Sequence, residues 1–326
     1  MCCHKRITWA TAVLAACVPA CEAHIRAAEP TPAVALTSLW TLPHDLADRD
    51  LFHGQWGADR APHPDDSYRL VAVKRHGVNP GVTVRDSQGR RWSVKQPLPD
   101  ALGDEGPVEV TLSRVLSAVG YHQPPVYFLP RFSLTDDWGT RDTAGGRFRL
   151  TDTSLKEIGQ WSWRRNPFVG TKPYQGLLAI LLMLNSSDLK NANNSLYLFR
   201  AGDRVEHWYV VRDLGTALGE TGRLAPRKND AALYERSRFI VGVTNGFVDF
   251  AYRGRHQDLI RARLTPDDVG WGAELLSGLS DGQWRDAFRA GGYAPSAADR
   301  FIRKIRANMS QALAVARDGS MSHERR

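Results

Sequence analysis

Residues 185–198 read NSSDLKNANNSLYL: an acid, a lysine two residues on and an asparagine five residues on, set directly before a strand-like run. A buried strand rarely opens with so many polar groups. Two apolar runs, SLYLF (195–199) and VEHWYVV (205–211), are joined by the short RAGDR segment (200–204), which suits a hairpin. Antiparallel pairing brings the residues before the first strand beside those after the second. Before the first stand Asp188, Lys190 and Asn193. After the second stands Asp213, in VVRDLGTALG (210–219). The hairpin therefore gathers two carboxylates, an amide and an ammonium at one edge. Upstream, residues 173–184 are apolar nearly all round and read as a buried helix behind that edge.

This set of groups suits a divalent cation and phosphate. Mg²⁺ (or Mn²⁺) prefers oxygen ligands and often takes only one or two carboxylates together with substrate phosphates. Asp213 and Asn193 can supply those oxygens. Asp188 is then free to accept a hydroxyl proton, and Lys190 to offset charge on a transferring phosphoryl group. Gly215, two residues past Asp213, would let the backbone turn beside the ion. Taken alone, the Asp188 stretch also reads as a solvated turn, and Asp213 as a strand-end residue.

Working outward, YRLVAVK (68–74), GVTVR (81–85) and RRWSVKQ (90–96) read as three strands, the last two closed by the turn at 86–89. Trp92 and Val94 face one way; Ser93 and Lys95 face the other. Pro107 suits a first helical position, and Val108, Leu112, Val115, Leu116 and Val119 recur at helical spacing up to Gly120. Glu109 lies near the start of that helix. It is the natural anionic partner for Lys95, although a helix N-terminus favours an acid in any case. Residues 125–130 read as a strand followed by a polar connection, and 159–173 as a link. Further helices are expected at about 229–243, 265–279, 281–290 and 295–316.

The residues Asp188-Leu-Lys190-Asn-Ala-Asn193 resemble the catalytic loop of the protein-kinase-like superfamily, D-x-K-x-x-N, and Asp213-Leu214-Gly215 is similar to its D-F-G metal motif. Val94-Lys95 and Glu109 resemble its strand-lysine and helix-glutamate pair, a device that holds nucleotide phosphates. The likeness covers roughly residues 67–316 and is closest to the atypical branch: phosphatidylinositol 3-/4-kinases, bacterial toxin-type kinases and secretory-pathway kinases. It implies an α+β, two-lobed fold, with a small β-rich N-lobe carrying one key helix and a larger helical C-lobe. It also implies phosphoryl transfer from Mg-ATP to a hydroxyl acceptor, with Asp188 and Lys190 catalytic, Lys95 and Glu109 on the nucleotide, and Asn193 and Asp213 on the metal. The pattern departs in three places. Asn185-Ser186-Ser187 stands where His-Arg is usual, HGVNPG (76–81) is no proper glycine-rich loop, and no A-P-E-type segment follows Asp213. These departures favour a second reading, a catalytically silent module that binds a nucleotide or other ligand.

Composition bounds the rest. With 326 residues, 42% of them hydrophobic, the chain can bury a sizeable core. Lys5 and Arg6 precede an apolar segment too short to span a bilayer, so residues 1–28 read as an export signal. Leu14-Ala15-Ala16-Cys17 resembles a lipoprotein processing box, which would attach the mature protein to a membrane through Cys17; ordinary cleavage between Ala20 and Ala28 is the alternative. All four cysteines (Cys2, Cys3, Cys17 and Cys21) lie in that segment, which excludes an internal disulfide, a cysteine nucleophile and a thiolate metal site from the rest. The net charge of +8 loses Lys5, Arg6, Arg26 and Glu22 with the signal and falls to +6. That excess suits an anionic ligand, and no arginine-rich run argues for nucleic acid. The organisation expected is a signal at 1–28, an extended arm at 29–66, an N-lobe with its connection at 67–170, a C-lobe at 171–316 and a flexible tail at 317–326.

Overall fold

The computed structural model describes residues 33–74, 79–97, 103–222 and 226–324. The stretch read as an export signal, Cys17 included, and residues 76–78 of the HGVNPG stretch lie outside them. A short helix α1 (Ala33–Thr37) and an irregular segment lead into strands β1 (Ser67–Val73), β2 (Gly81–Arg85) and β3 (Arg91–Lys95). The β2–β3 turn forms as its residues dictate: Asp86 accepts from the Gln88 and Arg90 amides and from the Arg90 guanidinium. Helix α2 (Glu105–Ala118) follows, then β4 (Val126–Asp136) and β5 (Gly139–Leu150). The five strands close into a barrel in the order β1-β2-β3-β5-β4. Tyr68, Val84, Trp92, Val94, Phe132 and Phe148 fill its interior. Strand alternation therefore turns Lys95 outward, onto α2.

The polar connection expected after residue 130 is instead the second half of β4 and the whole of strand β5. Its first half is exposed on both faces, so the period-2 signal emerges only near Phe148. Helix α2 starts at Glu105, two residues before Pro107, because Asp104 caps it by accepting from the Gly106 amide (2.9 Å). It is buried nearly all round rather than on one face. The arm holds its far end: the Arg49 guanidinium donates to the Ser117 and Ala118 carbonyls (2.9 and 2.8 Å), and Trp40 donates to Val119 (2.7 Å).

Strand β6 (Leu155–Gly159) opens the second half, followed by helix α3 (Lys172–Met183) and strands β7 (Asn194–Ala201) and β8 (Arg204–Val211). The last two form the expected hairpin with Asn194 opposite Val211, and β6 adds a third strand. Leu177 through Leu184 are all at most 3% exposed, a burial worth roughly 1.5–3 kcal/mol for each large side chain. Trp161 and Trp163 join this core. The helix expected at 229–243 is only α4 (Ala231–Arg236); strands β9 (Ile240–Thr244) and β10 (Phe247–Phe250) take the rest. Asn245-Gly246 supplies that turn, both residues having positive φ, as a tight hairpin requires. Helices α5 (Pro266–Ser277), α6 (Asp281–Ala290) and α7 (Pro295–Glu324) complete the chain. Helix α7 thus continues past 316, through most of the expected tail. The fold is mixed α+β, with separate barrel and helical cores inside one compact unit of the described residues.

Candidate active site

The site begins with a lysine forced off the barrel's apolar interior. Lys95 ends β3 and is 6% exposed. Its Nζ lies 3.0 Å from Glu109 Oε2 and 3.1 Å from Glu105 Oε2, and it pairs directly with Asp213 Oδ1. Strand register adds two more cations. Arg147 stands opposite Lys95, and Arg149 opposite Ser93, on the same outward face. Both reach the other oxygen of Glu109, at 2.9 and 2.6 Å. Burial alone would push Glu109 up, but Arg147, Lys95 and Arg149 together hold its carboxyl well below the usual range. The reverse holds for Lys95: burial works against its charge, and Glu109 and Asp213 outweigh burial and raise it. Burial brings Arg147 down to about 10, which leaves it charged at neutral pH.

Asp213 follows β8 in the left-handed region (φ 62°), an uncommon conformation for a non-glycine residue and one that clusters at functional sites. Burial pushes its carboxyl up, and Lys95 more than compensates, so it lies below the ordinary aspartate value. The sharp turn expected of Gly215 belongs to Asp213. Gly215 is needed for a different reason: a Cβ there would lie 2.5 Å from Glu105 Cβ and 3.0 Å from the Glu105 carbonyl. The missing side chain lets the first turn of α2 press against the Asp213 turn.

Two main-chain bonds bring the Asp188 loop alongside. Arg212 N donates to Asn193 O (2.8 Å), and Ser187 N donates to Thr216 O (3.1 Å). Within the loop, Asn193 Nδ2 donates to the Asp188 carbonyl (2.7 Å) and more weakly to its carboxylate (3.3 Å), which leaves Asn193 Oδ1 as an acceptor. Lys190 Nζ sits 2.5 Å from Asp188 Oδ2, and Arg255 Nε 3.4 Å from Oδ1. Asp188 Oδ1 is buried and accepts no hydrogen bond among the described residues. All six residues singled out from the sequence thus come together. Lys95, Glu109 and Asp213 are joined by ion pairs, Asp188, Lys190 and Asn193 by short-range contacts, and the two triplets by backbone.

Sequence reasoning missed five participants: Glu105, Arg147, Arg149, Lys228 and Arg255. The alternation in RFRL (147–150) carried the signal for the two arginines. Lys228, 2.5 Å from Glu105 Oε1, carried none, since 123 residues separate the pair.

No group of three His, Cys, Asp or Glu side chains that could hold a metal unaided occurs among the described residues. The donors present are oxygens only: the Asp213 carboxylate and Asn193 Oδ1, with the Asp188 carboxylate close by. They fit Mg²⁺ brought in with phosphate oxygens, and not a thiolate or imidazole metal. No helix of the described residues is long and apolar enough to cross a membrane.

No protein-family model and no curated protein matches the chain. Among solved structures it is similar to the Helicobacter pylori proinflammatory kinase CtkA, at 9% identity over 79% of this chain and 99% of that one, with a TM-score of 0.46.

Proposed function

We propose that this chain is a protein-kinase-like phosphotransferase that binds Mg-ATP against the outward face of β3 and passes the γ-phosphoryl group to a hydroxyl acceptor. The observation that carries this reading is the meeting of Lys95 with Glu109 and Asp213, three residues from separate parts of the chain, beside an aspartate whose buried Oδ1 accepts no hydrogen bond and has only the Arg255 guanidinium near it, at 3.4 Å. When bound, Mg²⁺ would neutralise phosphate charge during transfer. Lys95 would turn from Asp213 to the phosphates, steadied by Glu105 and Glu109. Asp213 and Asn193 Oδ1 would hold the metal. Asp188 would orient the acceptor and take its proton as the new O–P bond forms and the bond to the leaving nucleoside diphosphate breaks. Lys190 would offset charge beside it. Positioning and electrostatics carry nearly all of such a reaction.

The test is nucleotide-dependent stabilisation followed by transfer. Mg-ATP should raise the melting temperature of the parent and not of Asp213→Ala, and Asp188→Ala should bind nucleotide yet fail to transfer phosphate. If Asp213→Ala responds to Mg-ATP as the parent does, the assignment is wrong. The direct Lys95–Asp213 pair favours a second reading, a silent nucleotide- or ligand-sensing module, because it engages the very oxygen a metal would need. Stabilisation by Mg-ATP with no transfer to any acceptor would select that reading. Export to the cell envelope, with or without a lipid on Cys17, belongs to the same proposal; mass spectrometry of the mature N-terminus decides it.

A further inference from the structure

Arg255 approaches Asp188 from a segment that the mechanism above does not use. Residues 252–255 are fastened to the Asp188 loop: Arg255 N donates to Ser187 O (3.0 Å), and Tyr252 Oη reaches both Ser187 O (3.1 Å) and Arg255 O (2.9 Å). Gly254 makes this fit possible, since a Cβ there would lie 2.6 Å from Ser187 O. The result is a guanidinium at the mouth of the acid, with Nε 3.4 Å from Asp188 Oδ1 and a side chain 54% exposed. Positive charge continues past it. Arg253, Arg261 and Arg263 are exposed, and no carboxylate of the described residues lies within ion-pair distance of them. Asp258, the one acid in 251–264, is taken by a two-pronged bond from Arg164 (2.8 and 2.9 Å). Beside this segment opens a groove of ≈ 530 Å³ lined by His256, Gln257, Asp258, Arg261 and Arg263.

Building on the phosphoryl-transfer reading, we propose that the acceptor is a serine or threonine in an acidic peptide segment. The hydroxyl would meet Asp188, the nearest flanking carboxylate Arg255, and the following ones Arg261 and Arg263 along the groove. Arginine forks match carboxylates bidentately, and a row of them along an open groove suits an extended chain better than a compact metabolite.

The experiment uses the full chain and three fluorescent serine peptides, flanked by acidic, neutral or lysine residues, read by anisotropy. The acidic peptide should bind roughly tenfold tighter than the neutral one in low salt and lose that advantage in 0.5 M NaCl, as charge-led binding does. Arg261→Glu with Arg263→Glu should abolish the preference with Mg-ATP stabilisation unchanged, and Arg255→Gln should weaken acidic-peptide binding by roughly threefold. Equal binding of the three peptides, a preference kept by the double variant, or displacement of the peptide by an inositol phosphate at lower concentration than by unlabelled peptide would overturn the proposal. Acidic-peptide selectivity without Mg-ATP stabilisation would support this surface and overturn only the transfer reading.

Discussion

Glu109 offers the sharpest test of the charge cluster. It is 2% exposed and faces Lys95, Arg147 and Arg149 at once. Glu109→Gln keeps the shape and deletes the charge. Lys95 would retain Glu105 and Asp213, and Arg147 its bond to the Ser93 carbonyl (3.0 Å), but Arg149 would be left without a carboxylate in ion-pair range among the described residues. Removing one partner of a buried pair costs about 3–5 kcal/mol, and the orphaned arginine places this case toward the upper end. For a chain of this size that corresponds to a fall of roughly 6–7 °C in melting temperature. Calorimetry at pH 7 measures it, with circular dichroism confirming that the fold survives. The pH dependence provides a second check. The folded carboxyl lies well below its unfolded value, so its contribution is complete above about pH 4.3 and is lost as pH falls toward the folded value. The parent should lose stability over that acidic range, and Glu109→Gln should lose less. A drop under about 1 kcal/mol at pH 7 would show that the three cations do not depend on this carboxylate.

Three further outcomes are expected. Gly215→Ala should push the first turn of α2 off the Asp213 turn, costing about 1–3 kcal/mol and Mg-ATP stabilisation together, as denaturation with and without nucleotide would show. Arg49→Ala should cost about 1.5–3 kcal/mol by freeing the carbonyls of Ser117 and Ala118, measured by urea titration, and should weaken nucleotide binding although it lies at the opposite end of α2 from Glu105. Mg²⁺ without nucleotide should leave the melting temperature within about 1 °C of the apoprotein, whereas the two together should raise it.

Much of this was legible because the informative groups sit at strand and helix ends with strong periodicity around them. The β7–β8 register follows from two apolar runs and a short turn, and it alone predicts that Asp188, Asn193 and Asp213 meet. The α2 face was equally plain, since Val108, Leu112, Val115, Leu116 and Val119 all reach the helical core. What failed had physical causes. Strand β5 is solvated along its first half, so alternation could not mark it. The β9–β10 hairpin was hidden by a helical reading of Phe239 to Val243, although Asn245-Gly246 between alternating residues is itself a strong turn signal. Lys228 meets Glu105 only through tertiary folding, which no spacing along the chain encodes.

That distinction bears on the chemistry. A motif names pairs, and here it named Lys95 with Glu109 and left Asp213 for a metal. The folded cluster holds four cations, Lys95, Arg147, Arg149 and Lys228, against three carboxylates, Glu105, Glu109 and Asp213. Its balance is already positive, in a setting where burial strengthens every charge interaction. A divalent cation arriving alone would have to displace Lys95 from Asp213 and would leave that ammonium facing added positive charge. A polyphosphate arriving with the metal reverses the sign of the problem: it offers Lys95 and Lys228 new anionic partners and releases Asp213 to the cation. Metal and nucleotide should therefore bind as one unit, because the cluster that holds Lys95 in place also opposes the metal without its phosphates.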